Sequence, residues 1–141
     1  MIKGVIRTPL KTISVDEGNV MHGMRNDDAG FSGFGEAYFS MVNLGAIKGW
    51  KRHRSMVCNF VVPIGEVKVV IYDDRVNSFE EIVLSPYNYF RLTIPPMVWV
   101  GFQGLHEHPS LLLNIASIIH DPAEADNKDI NTIAYTWSVK K

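Results

Sequence analysis

Hydrophobic positions recur along this chain with a period of two. Val67, Val69 and Ile71 alternate with Lys68, Val70 and Tyr72, and residues 89–94 read YFRLTI in the same manner. That spacing sends successive side chains to opposite faces of a strand. β-branched and aromatic residues dominate 57–72 and 89–102, and such side chains fit a pleated surface. Turn signals punctuate the pattern at Asp27-Asp28-Ala29-Gly30, Pro63-Ile64-Gly65, Asp73-Asp74, Ser85-Pro86-Tyr87-Asn88 and across 104–109. Many short strands with no long 3.6-residue periodicity predict an all-β sandwich or jelly roll. One brief helix is expected over 123–132, because Asp121-Pro122 offers a start signal with Pro in the first turn. Pro95-Pro96 interrupts a strand and predicts a bend, since Pro is tolerated only at strand edges, ends or bulges. Neither a repeat nor a linker divides residues 1–141, so a single domain is expected.

Composition narrows the partners. Hydrophobic residues make up 46% of the 141 residues and charged ones 21%, enough apolar material to build a core. Fourteen Lys and Arg face fifteen Asp and Glu, a net charge of −1 that leaves no electrostatic footprint for nucleic acid. Basic residues cluster only across 48–54, where Trp50 and His53 interrupt them; a patch of that size suits one anionic small molecule. Cys58 is the single cysteine, which excludes an internal disulfide and suits a reducing compartment. No apolar run reaches the roughly 18 residues of a membrane span; the longest, 111–119, is broken by Asn114 and Ser117. The N-terminus lacks a signal-peptide pattern. A soluble, cytoplasmic protein is expected.

The candidate chemistry is concentrated in 45–65, GAIKGWKRHRSMVCNFVVPIG. The segment resembles the first motif of the cupins, G-x5-H-x-H-x3/4-E-x6-G, with most metal ligands replaced. Lys51 takes the first His position, His53 keeps the second, Cys58 stands where the Glu belongs, and Gly65 closes the frame. Of the second motif, G-x5-P-x-G-x2-H-x3-N, only Pro95 survives; Met97, Val100 and Gly104 replace Gly, His and Asn. A cation needs several convergent N, O or S donors, so the expectation is a jelly-roll pocket without metal or other cofactor.

Four stretches narrow the resemblance to the dTDP-4-dehydrorhamnose 3,5-epimerase family of sugar-processing cupins. Residues 34–39, FGEAYF, are similar to its strand bearing a ligand-contacting Glu, here Glu36. Residues 47–51, IKGWK, are similar to its Leu-Arg-Gly-Leu-His signature. Residues 65–75 are similar to its G-E-V-x-D-V-x-V-D-x-R strand, and 94–102 to its V-P-x-G-F-A-H-G-F hairpin. The resemblance implies a cupin barrel, a nucleotide-sugar ligand and a homodimer paired through N-terminal strands. It also implies a His base oriented by a carboxylate, opposed by a Tyr acid. The family His and Arg positions are Lys51 and Lys48 here, and the Tyr position aligns with Asn114.

Alternation places Lys51 and His53 on one strand face. If that face lines the barrel, His53 is the natural base and Lys51 an oxyanion or phosphate partner. Glu36, Lys48, Tyr72, Trp99 and Asn114 are the expected substrate contacts, with Glu36, Lys51, His53, Tyr72 and Asn114 converging on the interior. His106, His108 and the His120-Asp121 pair are expected in surface loops or at a helix start. Two readings stay open: a metal-free epimerase or isomerase of a nucleotide-activated keto-deoxy sugar in surface-polysaccharide biosynthesis, or a non-catalytic sugar-binding cupin.

Overall fold

The structure, a computed structural model, describes residues 1–137. Twelve strands are found among them: β1 (Ile6–Pro9), β2 (Thr12–Ile13), β3 (Val20–Met21), β4 (Glu36–Val42), β5 (Ile47–His53), β6 (Cys58–Ile64), β7 (Val67–Asp73), β8 (Ser78–Leu84), β9 (Phe90–Ile94), β10 (Trp99–Gly104), β11 (Ser110–Ala116) and β12 (Ala125–Asn127). They form one five-stranded sheet in the order β1-β9-β6-β11-β4, a second in the order β12-β5-β10-β7-β8, and a small β2-β3 hairpin. The strand pairs are antiparallel. This is the cupin jelly roll. No helix among the described residues is long and apolar enough to cross a membrane.

Alternation decides which side chains meet between the sheets. Val67, Val69 and Ile71 of β7 join Phe60, Val62, Leu92, Ile94 and Leu112 in one buried cluster. Each such side chain contributes about 1.5–3 kcal/mol when fully removed from water. The intervening Val70 and Tyr72 point the other way, into a second cluster with Trp50, Trp99, Ile133, Tyr135 and Trp137. The outer face of the second sheet is thus also apolar, and the chain after β12 folds back over it. The Trp50 indole donates to the Ile130 carbonyl at 3.2 Å and lies 5.4 Å from the Trp137 ring. Gly101 permits this closure, since a Cβ there would stand 3.0 Å from Trp137 and 3.2 Å from Trp50.

Two details differ from the sequence expectations. The helix expected over 123–132 is only a 3-10 turn, Pro122–Glu124. Its start signal works as anticipated: the Asp121 side chain accepts from the Ala123 N–H at 2.9 Å, with Pro in the first turn. Beyond Glu124 the backbone pairs with β5 instead, Ala125 opposite His53 and Asn127 opposite Lys51; tertiary pairing overrides local propensity. The second detail is Tyr72, expected inside the barrel. It lies on the outer face, stacked 4.4 Å from Phe79 and hydrogen-bonded to Asn77 at 3.1 Å.

Candidate active site

Residues of both sheets line a cavity of about 330 Å³, within the range of small-molecule sites. One wall is built by alternate residues of the first sheet: Tyr38 and Ser40 on β4, Cys58 and Phe60 on β6, Leu112 and Asn114 on β11. Facing them are Lys48, Lys51 and His53 on β5 and Val100 and Phe102 on β10. Asn127 and Lys128 close the side where β12 meets β5.

Lys48 and Lys51 are three residues apart and in a regular strand would face opposite ways. The β5–β10 register shifts between them, Val100 opposing Lys51 while Phe102 opposes Lys48. This extra residue on β5 is a bulge, a device that re-aims side chains. Lys48 donates to the Met41 carbonyl at 2.8 Å, whereas no ion pair or hydrogen bond within the described residues occupies the Lys51 ammonium.

His53 is held by a carboxylate. Its Nδ1 contacts Glu124 Oε1 through a short hydrogen bond, with the two side chains 12% and 10% exposed. The other oxygen, Glu124 Oε2, accepts the backbone N–H groups of Ser55 at 3.0 Å and Met56 at 3.2 Å. Burial raises the Glu124 pKa, but the hydrogen bonds from His53, Ser55 and Met56 outweigh it and keep the group below its ordinary value. An ionised Glu124 at Nδ1 assigns the proton to that nitrogen and leaves Nε2 as the free acceptor.

On the opposite wall Asn114 fixes Tyr38. The Asn114 side-chain oxygen accepts from the Asn59 N–H at 3.1 Å, and its nitrogen donates to the Tyr38 hydroxyl at 3.0 Å. That bond uses a lone pair of the phenol, so its O–H remains available to donate into the cavity. Burial raises the Tyr38 pKa above its ordinary value, despite the bond from Asn114, which keeps the phenol protonated. Cys58, near the cupin Glu position, is 5% exposed, and burial pushes its thiol up to about 12.

The residues expected from the sequence therefore separate. Lys48, Lys51, His53 and Asn114 line the cavity, although both ends of the Asn114 amide are already engaged by the protein. Glu36 does not line it; its carboxylate accepts from the His120 N–H at 2.6 Å. Trp99 lies on the outer face with Tyr72. Its indole donates to Asp74 at 3.3 Å, and Arg52 and Lys128 each lie 4.7 Å from its ring. The physical reason is again alternation: Trp99 pairs directly with Tyr72 across β10 and β7. His106-Glu107-His108 forms a surface loop, and Asp121 caps the 3-10 turn. Sequence reasoning missed Tyr38 and Glu124. Tyr38 lies two residues after Glu36, so the period of two puts it on the same strand face. Glu124 is 71 residues from its partner and carries no local signal.

Among the described residues no three His, Cys, Asp or Glu side chains are grouped so as to hold a metal ion. The cavity offers one imidazole, already held at Nδ1, and one protonated thiol. This donor set does not fit a cupin metal, which wants three or four convergent ligands.

No protein-family model matches the chain. It is 36% identical to a dTDP sugar isomerase from Desulfovibrio desulfuricans G20, whose crystal structure superposes with a TM-score of 0.92 over 96% of this chain and 92% of that one. The chain belongs to the dTDP-sugar isomerase and epimerase family of cupins. Among curated proteins, "Probable low-salt glycan biosynthesis epimerase Agl13" of Haloferax volcanii is 33% identical over 100 residues, 67% of this chain and 64% of that protein. The match thus spans slightly less than two-thirds of that relative's length. "Spore coat polysaccharide biosynthesis protein SpsL" of Bacillus subtilis strain 168 is 29% identical over 99% of both chains.

Proposed function

We propose that this family member is a metal-free isomerase or epimerase of a nucleotide-activated keto-deoxy sugar, serving surface-polysaccharide biosynthesis. The observation that carries the reading is a carboxylate-oriented His53 facing, across one cavity, a Tyr38 hydroxyl free to donate. With Nδ1 tied to Glu124, His53 Nε2 removes a proton from a carbon next to the sugar ketone. The C–H electron pair becomes the C=C bond of an enolate, and the ketone oxygen takes the negative charge. Lys51, whose ammonium has no protein partner in the described residues, stabilises that oxygen. Tyr38 then gives its proton to the enolate carbon from the opposite wall, the C=C pair forming the new C–H bond as the C=O is restored. The phenolate regains a proton from solvent, and the His53 imidazolium releases its own to solvent. A matched acid and base on facing walls suits inversion, in which the proton leaves one face of the carbon and another arrives on the opposite face. The names of the relatives, a dTDP sugar isomerase, a glycan biosynthesis epimerase and a polysaccharide biosynthesis protein, support the substrate class and the pathway.

The test is incorporation of solvent deuterium into a nucleotide-linked 4-keto-6-deoxy sugar. Incorporation supports the proposal. A panel of such sugars that binds without exchange would make the chain a binding cupin instead. Within this reading Lys51→Ala should raise KM and lower kcat together, each by about tenfold, because one cation meets negative charge in both the ground and transition states. Steady-state kinetics measures both. Loss of kcat alone would confine Lys51 to the transition state.

We also propose a homodimer working in the cytoplasm, where nucleotide-linked sugars are made and used. β4 ends its sheet, and its outward Phe39 and Met41 are 63% and 54% exposed; the β2-β3 hairpin shows Ile13 and Val20 at 46% and 52%. An uncovered apolar edge strand is a liability that pairing removes. Sedimentation at micromolar concentration should give a dimer, and Phe39→Glu should shift it toward monomer. A monomer at high micromolar concentration would refute the pairing.

A further inference from the structure

Glu124 is delivered to His53 by a short strap laid along the edge of β5. Preceding residues 119–123 are exposed, and β12 is a three-residue strand at the edge of its sheet. Two residues beyond Glu124 comes Asp126, directly opposite Arg52 in the β12–β5 register. Its Oδ2 accepts from Arg52 Nε at 3.1 Å and from a terminal nitrogen at 2.8 Å. Arg54 adds Nε at 3.3 Å and a further bond to Oδ1. Two guanidinium groups therefore close on one carboxylate, on the outer side of β5 from the His53 ring.

Most exposed ion pairs contribute little, because two long side chains must be ordered to make them. Here much of that ordering is already done. The Arg52 guanidinium lies 4.7 Å from the Trp99 ring centroid and 3.6 Å from Asp74, and its side chain is 22% exposed, that of Asp126 21%. The bonds from Arg54 and then Arg52 hold the Asp126 carboxyl down at about 2, so the clamp stays charged wherever the protein would be assayed. Further anchors of this segment, Trp50 with the Ile130 carbonyl and the paired backbone bonds of Trp50 and Lys128, lie downstream, and Arg54 also reaches the Ala123 carbonyl at 3.3 Å. Backbone bonds also hold Glu124, the Arg54 N–H donating to its carbonyl at 2.8 Å and Ala125 pairing with His53; the Asp126 cluster is the charged side-chain clamp beside them.

We propose that Asp126, clamped by Arg52 and Arg54, is a positioning residue that sets Glu124 and through it the tautomer and direction of His53. The inference rests on His53 as the base. A small slip of β12 along β5 would move Glu124 off Nδ1, and displacements of about 1 Å in a catalytic array can cost up to about 10²-fold.

The test uses the full-length chain with Asp126→Asn, which keeps the side-chain shape and removes the charge. Nitrogen-15 NMR of the His53 ring should show one tautomer, protonated at Nδ1, in the wild type and a mixture in Asp126→Asn. With the keto-sugar, kcat should fall about tenfold while KM stays within about twofold. In a Glu124→Gln background the same change should cost nothing further, since its effect runs through that carboxylate. Arg54→Gln, which removes half the clamp from an exposed side chain, gives a second variant if Asp126→Asn does not fold, and should show a smaller tautomer shift. A wild-type tautomer in every folded variant, or losses that add fully to Glu124→Gln, would overturn the proposal. The tautomer measurement needs no substrate. If no sugar undergoes exchange, the catalytic reading falls while the NMR result still decides whether the clamp governs His53.

Discussion

Replacing His53 by Ala should reduce deuterium incorporation into the keto-sugar by about 10²–10⁴-fold, the usual cost of removing a positioned general base. Among the described cavity residues no other group is ready to take that role. The Cys58 thiol is pushed to about 12 by burial and remains protonated. Both Glu124 oxygens are engaged, by His53 and by the Ser55 and Met56 N–H groups. Lys51 would have to give up its proton, and its position in the cavity suits it to meeting an anion. Substrate affinity, measured by equilibrium binding, should change by no more than a few-fold in His53→Ala, because the imidazole acts on a C–H bond and carries little ground-state contact. Full exchange in His53→Ala would remove it as the base and point to Lys51.

How far this site was readable from the sequence depends on geometry more than on composition. Alternation in Val67, Val69 and Ile71 carried through to a packed face, and the spacing of Lys51 and His53 placed both on the cavity wall. Tyr72 and Trp99 went astray because their sheet is apolar on both sides. When the segment ending in Ile130, Ile133, Tyr135 and Trp137 buries the outer face, hydrophobic pattern no longer tells inside from outside. Lys48 reaches the cavity only through the β5 bulge, which leaves no mark in residue spacing. Glu124 belongs to a stretch, PAEADNKD, whose local chemistry favours a helix start, yet the open edge of β5 captures it as a strand. Its partnership with His53 is purely tertiary. The resemblance to the epimerases placed the acid at Asn114. The fold puts an amide there that fixes Tyr38, and the acid proposed above lies on the neighbouring strand β4.

That relocation makes the most discriminating prediction. Tyr38→Phe keeps the ring and removes only the hydroxyl that Asn114 presents to the cavity. The base on β5 is untouched, so His53 should still remove the proton and return a deuteron from its own side. Exchange at the original configuration should therefore persist within about tenfold of wild type. Product formation, which needs a proton from the Tyr38 side, should fall by about 10²–10⁴-fold, the range for loss of a general acid. Proton NMR in D₂O separates the two, since washout of the substrate signal and growth of the product signal are read in one experiment. The cost to the fold should be small, because Tyr38 is 41% exposed and Asn114 keeps its bond to Asn59. If product formation and exchange fall in parallel, Tyr38 holds the enolate oxygen and does not deliver the proton. If neither changes, the acid lies elsewhere and the two-wall mechanism is wrong.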